Sequence, residues 1–191
     1  ASLNLRLVCE NNENENDSTN EEKIYGPTLV HGALIDITGR KVSEMKLNYL
    51  ASHDPLTNLF NRREFENQLK QALSAPFFPE QTVIMMYMDL DQFKIVNDTC
   101  GHTVGDQLLK KVSALFQNNI SHQGILARLG GDEFGVILKG VDANEAYDIA
   151  DNLLQTLAKF RFTHKKQSFS VGMSVGIVQA SSELNTLEAI M

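Results

Sequence analysis

Residues 82–90 read TVIMMYMDL, apolar almost without a break and ending on an acid. The run is too short for a buried helix, and it lacks the one-in-two polar alternation of a half-exposed strand. It therefore reads as a strand covered on both faces. Such a strand demands a layer of structure on each side of its sheet. The rest of the chain from residue 54 supplies those layers. RREFENQLKQALSA (62–75) reads as a helix that stops before Pro76, with Asn61 and Glu64 spaced as a capping box. GDQLLKKVSALFQNN (105–119) is amphipathic. In 142–160, Ala146, Ile149, Ala150, Leu153, Leu154 and Leu157 share one helical face. Strands are expected at 125–129, 133–139 and 167–179. The order αβαββαβ, with one tight hairpin, predicts an α+β fold: a mixed central sheet flanked by helices.

Upstream, 3–10 and 28–38 read as strands joined by the polar, turn-rich segment 11–22. Residues 39–53 follow as a linking helix. Its stripe of Val42, Met45, Leu47, Leu50 and Ala51 suits core packing, or a dimerising seam shorter than the three to four heptads of a sustained coiled coil. DPLTNLFN (54–61) is a turn: Pro55 disfavours helix at Asp54, and Asn58 tolerates left-handed geometry.

Composition narrows the partners. Net charge is −7, which argues against a broad basic surface for nucleic acid or anionic membrane. One anionic nucleotide stays compatible, because a metal ion can neutralise it locally. The two cysteines, Cys9 and Cys100, have no metal-ligand spacing, and a reducing compartment is the default. No apolar run approaches the ~18 residues of a membrane helix. A cytoplasmic location without membrane contact from this segment is expected.

The acids carry the chemistry. Asp89 and Asp91 stand two apart where the buried strand leaves the core, so they share a face in extended geometry. They read equally as site residues and as solvated capping aspartates. Downstream, RLGGDEFGVIL (128–138) places Asp132 and Glu133 after two glycines that permit a sharp turn. Alone, such a turn is an ordinary hairpin. Extended neighbours point to opposite faces, so at most one of these acids aims directly at a site shared with Asp89. Taken together, carboxylates from two strands can converge on Mg²⁺, which takes oxygen ligands and is often held by one or two carboxylates plus substrate phosphates. Two such metals would activate a hydroxyl and stabilise a leaving phosphate oxygen. Without a cation, the crowded acids would raise at least one pKa. Lys94 can offset charge on a transferring phosphoryl group, or be a surface lysine. Asn97 and Asp106 have the donors and acceptors to read a guanine edge. For His102 a structural role is the simpler reading.

DPLTNLFNRREFE, MDLDQFKIVNDTCGHTVGD and ARLGGDEFGVIL together resemble the GGDEF domain of diguanylate cyclases, in order and spacing, from about Asp54 to Val178. The resemblance implies a ferredoxin-like fold akin to the palm of nucleotide cyclases and polymerases. It implies a homodimer in which each protomer carries one GTP. Each 3′-hydroxyl attacks the partner's α-phosphate, giving cyclic di-GMP and two pyrophosphates. Carried over by position, Asp89, Asp132 and the carbonyl of Leu90 would bind Mg²⁺ or Mn²⁺. Asp132 would also accept a proton, Glu133 would support the metal site, and Lys94 would stabilise the transition state. Asn97 and Asp106 would read guanine, and Gly130 and Gly131 would let the backbone approach the phosphates.

The resemblance also implies departures. The family's Arg-x-x-Asp product-inhibition motif falls on Ser121 and Gly124, so inhibition through that site is not expected. Asn58 stands where the family often has glycine. A last helix with a phosphate-contacting lysine is expected beyond Met191, so the chain is expected to be a fragment with impaired turnover of its own. The segment before residue 54 resembles the end of a PAS sensor running into a signalling helix. Three parts are thus expected: 1–38 the last strands of the sensor, 39–53 the linker helix, and 54–191 the GGDEF domain without its last helix. Sequences with features like those of FRFTHKKQSFSVGMSVGIV often precede an EAL phosphodiesterase domain. The alternative to an active cyclase is a silent, GTP-binding regulatory domain controlling such a neighbour.

Overall fold

A computed structural model describes residues 36–74, 82–120, 124–165 and 167–180 of the 191. The expected strands at 3–10 and at 28–35, the loop at 11–22, Ser121 and the stretch from residue 181 lie outside the described residues. The chain divides into two compact units, 1–48 and 49–191. In the first, Asp36 accepts a hydrogen bond from the Thr38 N–H at 2.8 Å, and helix α1 (Thr38–Ser52) begins there. The end of a strand expected at 36–38 is therefore absent: residues 36 and 37 precede the helix, Thr38 begins it, and the Asp36 side chain takes up the Thr38 N–H. No residue of α1 is buried, and Val42, Met45 and Leu47 are exposed. That corrects the core-packing reading of the stripe.

In the second unit, β1 (Phe60–Asn61), β2 (Val83–Asp91), β3 (Gly124–Gly130), β4 (Glu133–Lys139) and β7 (Gly172–Gln179) form one sheet in the order β1-β3-β4-β2-β7. The β1–β3 pairing is parallel and the other three are antiparallel, so the sheet is mixed as expected. β2 lies inside the sheet between β4 and β7. Its alternate residues explain the unbroken apolarity. Ile84, Met86, Met88 and Leu90 join one core cluster, while Val83 and Met85 join another on the opposite face.

Helices α3 (Phe93–Cys100), α4 (His102–Asn119) and α5 (Ala143–Lys159) contribute Phe93, Val96, Leu108, Val112, Phe116, Leu153 and Leu157 to the first cluster. Helix α2 (Arg62–Ser74) contributes Phe65, Leu69 and Leu73 to the second. The expected cap is present: the Asn61 side chain accepts from the Glu64 N–H at 2.9 Å. α5 opens with a full capping box between Asp142 and Glu145.

One expected strand divides. Residues 167–179 form β6 (Gln167–Phe169), which pairs with β5 (Phe162–His164) in a separate hairpin, and then β7, which pairs with β2. The break falls at Val171, which is buried. The stretch between β2 and β3 forms two helices, α3 and α4. Gly101, at φ 87°, ends α3 and precedes α4.

Candidate functional site

The site gathers where β2 and the β3–β4 turn end together. Asp89 sits opposite Glu133 on β4 and Ser174 on β7. Residues paired across an antiparallel ladder project from the same face. Tyr87, Asp89, Asp91, Glu133 and Ser174 therefore share the face that carries α2. The Leu90 N–H donates to the Asp132 carbonyl at 3.2 Å, tying the strand end to the turn. Ser174 donates its hydroxyl to Asp91 at 2.9 Å, and this bond occupies the second acid of the pair.

Asp89 is the electrostatic centre. Its carboxyl is pushed above the usual range, first by burial and then by the negative charges of Asp132, Glu133 and Asp91. Two acids distant in sequence, 89 and 132, are thus close enough to feel one another. Both acids of the turn act on Asp89, and the Asp132 charge ranks ahead of that of Glu133.

The turn itself is held by two arginines. Gly130 and Gly131 both have positive φ, 153° and 51°, and the ladder shifts register between Arg128 and Gly130. The Arg62 Nε donates to the Leu129 carbonyl at 3.0 Å, and its Nη2 reaches Glu133 at 3.3 Å. Arg128 donates twice to the Gly131 carbonyl, at 2.9 and 2.8 Å, and through Nη1 to both oxygens of Asp54 at 3.1 Å. Burial works against the Asp54 charge. Hydrogen bonds from the Thr57 hydroxyl and N–H, with the Arg128 guanidinium, outweigh it and hold the carboxyl below its ordinary value. The sequence reading passed over these arginines. The signal was available at Arg128, a charged residue inside the apolar strand ILARLG, where burial requires a partner.

The α3–α4 corner borders the same strand end. Gln92, at φ 62°, turns the chain from Asp91 into α3. Lys94 lies in the first turn of α3 and is exposed. Asn97 leans against the first turns of α4 so closely that a Cβ on Gly105 would fall 1.9 Å from its Oδ1. That Oδ1 is buried and has no hydrogen-bond partner. An unpaired buried amide oxygen is uncommon and fits a polar group that a ligand completes. Asp106 is exposed one residue beyond Gly105, and His102, at the start of α4, is exposed as well.

Among the described residues, no group of three or more His, Cys, Asp or Glu side chains is placed to hold a metal ion. Two neighbouring carboxylates are nonetheless the kind of partial set that Mg²⁺ accepts, since that ion keeps waters and takes phosphate oxygens. The negative charge that Asp132 sets against Asp89 is the imbalance that a cation would relieve.

Residues 51–191 match the family model for the diguanylate cyclase GGDEF domain. The chain belongs to the GGDEF family. It is 38% identical over 160 residues to an Escherichia coli protein named "Probable diguanylate cyclase DgcE", covering 84% of this chain and 14% of the relative. It is 36% identical to the cyclic di-GMP phosphodiesterase PdeB of Shewanella oneidensis, covering 82% of this chain and 18% of the relative. It thus spans less than a fifth of the length of either. A sensory box/GGDEF family protein from Caulobacter crescentus superimposes with a TM-score of 0.67 at 33% identity, covering 73% of this chain and 90% of that one. Cyclases of this family depend on a divalent cation. Within this GGDEF domain the glycines and acids of the family name are the residues 130–133 that the two arginines hold. No helix among the described residues is long and apolar enough to cross a membrane.

Proposed function

We propose that this GGDEF domain condenses two GTP molecules into cyclic di-GMP, across a dimer of two copies. The observation that carries this reading is Asp89, crowded by Asp132 beside a glycine-rich turn. Asp89, Asp132 and the Leu90 carbonyl would hold Mg²⁺, or Mn²⁺ in its place. When bound, the cation would neutralise phosphate charge and favour ionisation of the attacking hydroxyl.

The chain's own residues do the rest. Asn97 and Asp106 take the guanine edge, and the unpaired Oδ1 of Asn97 leaves that amide ready for a partner. A half-turn of the amide exchanges its acceptor for its donors, so either edge of the group is on offer. Gly130 and Gly131 let the phosphates come close to the backbone. Asp132 accepts the proton of the 3′-hydroxyl. The 3′-oxygen forms a bond to the partner's α-phosphorus, and the bond from that phosphorus to pyrophosphate breaks. Lys94, exposed at the start of α3, meets the charge that builds on the phosphoryl oxygens. Residues 1–38 are assigned to the end of a PAS-like sensor, 39–53 to its signalling helix and 54–191 to the cyclase, in the cytoplasm.

A second reading, a silent GTP-binding domain that regulates an attached phosphodiesterase, is favoured by the similarity to PdeB. Incubation of concentrated protein with GTP and Mg²⁺, with chromatographic detection of product, separates the two. Cyclic di-GMP formed by the wild type and lost in Asp132→Ala, with the thermal midpoint unchanged, supports the cyclase. GTP binding without product supports the regulator.

A further inference from the structure

Arg62 opens α2, yet its guanidinium belongs to the turn. It holds the carbonyl just before the glycine pair, at Leu129, and the carboxylate just after Asp132, at Glu133. One side chain therefore brackets the turn from both ends. Glu133 lies directly across the ladder from Asp89 and projects from the same face, so its charge reaches Asp89. Tyr87 stands on that face as well, two residues before Asp89. Burial, followed by the neighbouring Glu133 carboxylate, pushes its hydroxyl pKa up, while Arg62 acts in the opposite direction.

Glu133 thus has two possible partners on one face: the Arg62 guanidinium, and any cation held by Asp89 and Asp132. A third carboxylate on Mg²⁺ would take a coordination position otherwise filled by water or a phosphate oxygen. We propose that Arg62 is a positioning residue that acts through Glu133: it draws that carboxylate aside and leaves coordination positions open for the triphosphate. The identity of the nucleotide rests on the cyclase reading above. The competition between Arg62 and the cation for Glu133 does not.

The test is a double-mutant cycle on Arg62→Gln and Glu133→Gln, read by Mn²⁺ titration with electron paramagnetic resonance of the nucleotide-free protein, and by steady-state rates with GTP. In R62Q the freed Glu133 joins the ion. Mn²⁺ affinity rises at least threefold, and KM for GTP rises more than kcat falls. In the Glu133→Gln background the same Arg62 change leaves Mn²⁺ affinity as it was, because the two residues act through one another. An unchanged affinity in R62Q, or an equal change in both backgrounds, overturns the proposal. Arg62→Lys keeps the charge but not the two-pronged grip. If R62Q does not fold, it carries the same test with a smaller shift in the same direction. A wild type that binds Mn²⁺ but makes no product from GTP counts against the cyclase reading, while the Mn²⁺ cycle still decides the role of Arg62.

Discussion

Arg128 grips Asp54 with one nitrogen 3.1 Å from each carboxylate oxygen, while the other two nitrogens of the same guanidinium hold the carbonyl of Gly131. The pair links the DPLTN turn to the glycine turn, and both side chains are largely out of solvent, at 13% and 19% exposure. Removing one partner leaves the other charge poorly solvated. Asp54→Asn is expected to destabilise the domain by about 2 kcal/mol, below the fully buried range because some solvent reaches the pair. The thermal midpoint should fall by about 5 °C. The effect depends on pH with a definite sign. The folded Asp54 carboxyl sits below its unfolded value. Its stabilisation is therefore complete above about pH 4 and is lost as the pH falls through the lower, folded value. Denaturant melts of wild type and variant should converge in acid and diverge at neutrality.

Asp89 behaves in the opposite way. Its carboxyl is raised in the folded state, so ionisation there opposes folding. The penalty is absent below about pH 4, where folded and unfolded chains both hold the proton, and is complete above the folded value. Asp89→Asn should therefore raise the metal-free thermal midpoint at pH 7 by roughly 1–3 °C while abolishing turnover, a stability gain at the expense of function. Calorimetry at pH 7 and in acid checks both the gain and its disappearance.

Gly105 leaves room for Asn97. An added Cβ would fall 1.9 Å from the amide oxygen and 3.2 Å from the ring of Phe93. Gly105→Ala should favour α4 intrinsically, since alanine is the better helix former by about 1 kcal/mol. It should nonetheless weaken GTP binding about tenfold by displacing the amide, the equivalent of one good hydrogen bond. Nucleotide titration beside helix content by circular dichroism separates the two effects.

Gly135 faces α2, and a Cβ there would meet the Phe65 ring at 2.7 Å. Phe65 is fully buried, so neither group can move far. Gly135→Ala should cost about 1–3 kcal/mol of stability, the usual penalty of overfilling a packed core. Urea unfolding measures it.

Much of this was readable from the sequence, for physical reasons. The unbroken apolarity of β2 follows from burial on both faces. The β3–β4 hairpin follows from paired glycines between apolar runs, and α5 from its single apolar face. The nearness of Asp89 and Asp132 was readable only from the two motifs taken together, because each acid alone reads as well as a capping or turn residue. The division at Val171 was not legible, since an apolar residue looks the same whether it continues a strand or anchors a crossing. Nor was the clamp by Arg62 and Arg128. Each guanidinium meets residues from a distant part of the chain, and a single sequence carries no sign of which carbonyl an arginine will find.

The span of those contacts sets an order of events. The bond from Arg62 to Leu129 closes a loop of 67 positions, and the bond from Arg128 to Asp54 closes one of 74. Loops that long are expected to close after the local helices and the hairpin have formed, since their closure costs more chain entropy. The glycine turn is therefore expected to take its final shape only when the N-terminal part of the domain has docked on the β3–β4 hairpin. A hairpin zipped on its own still lacks both guanidinium contacts, and with them the turn shape on which the proposed nucleotide site depends.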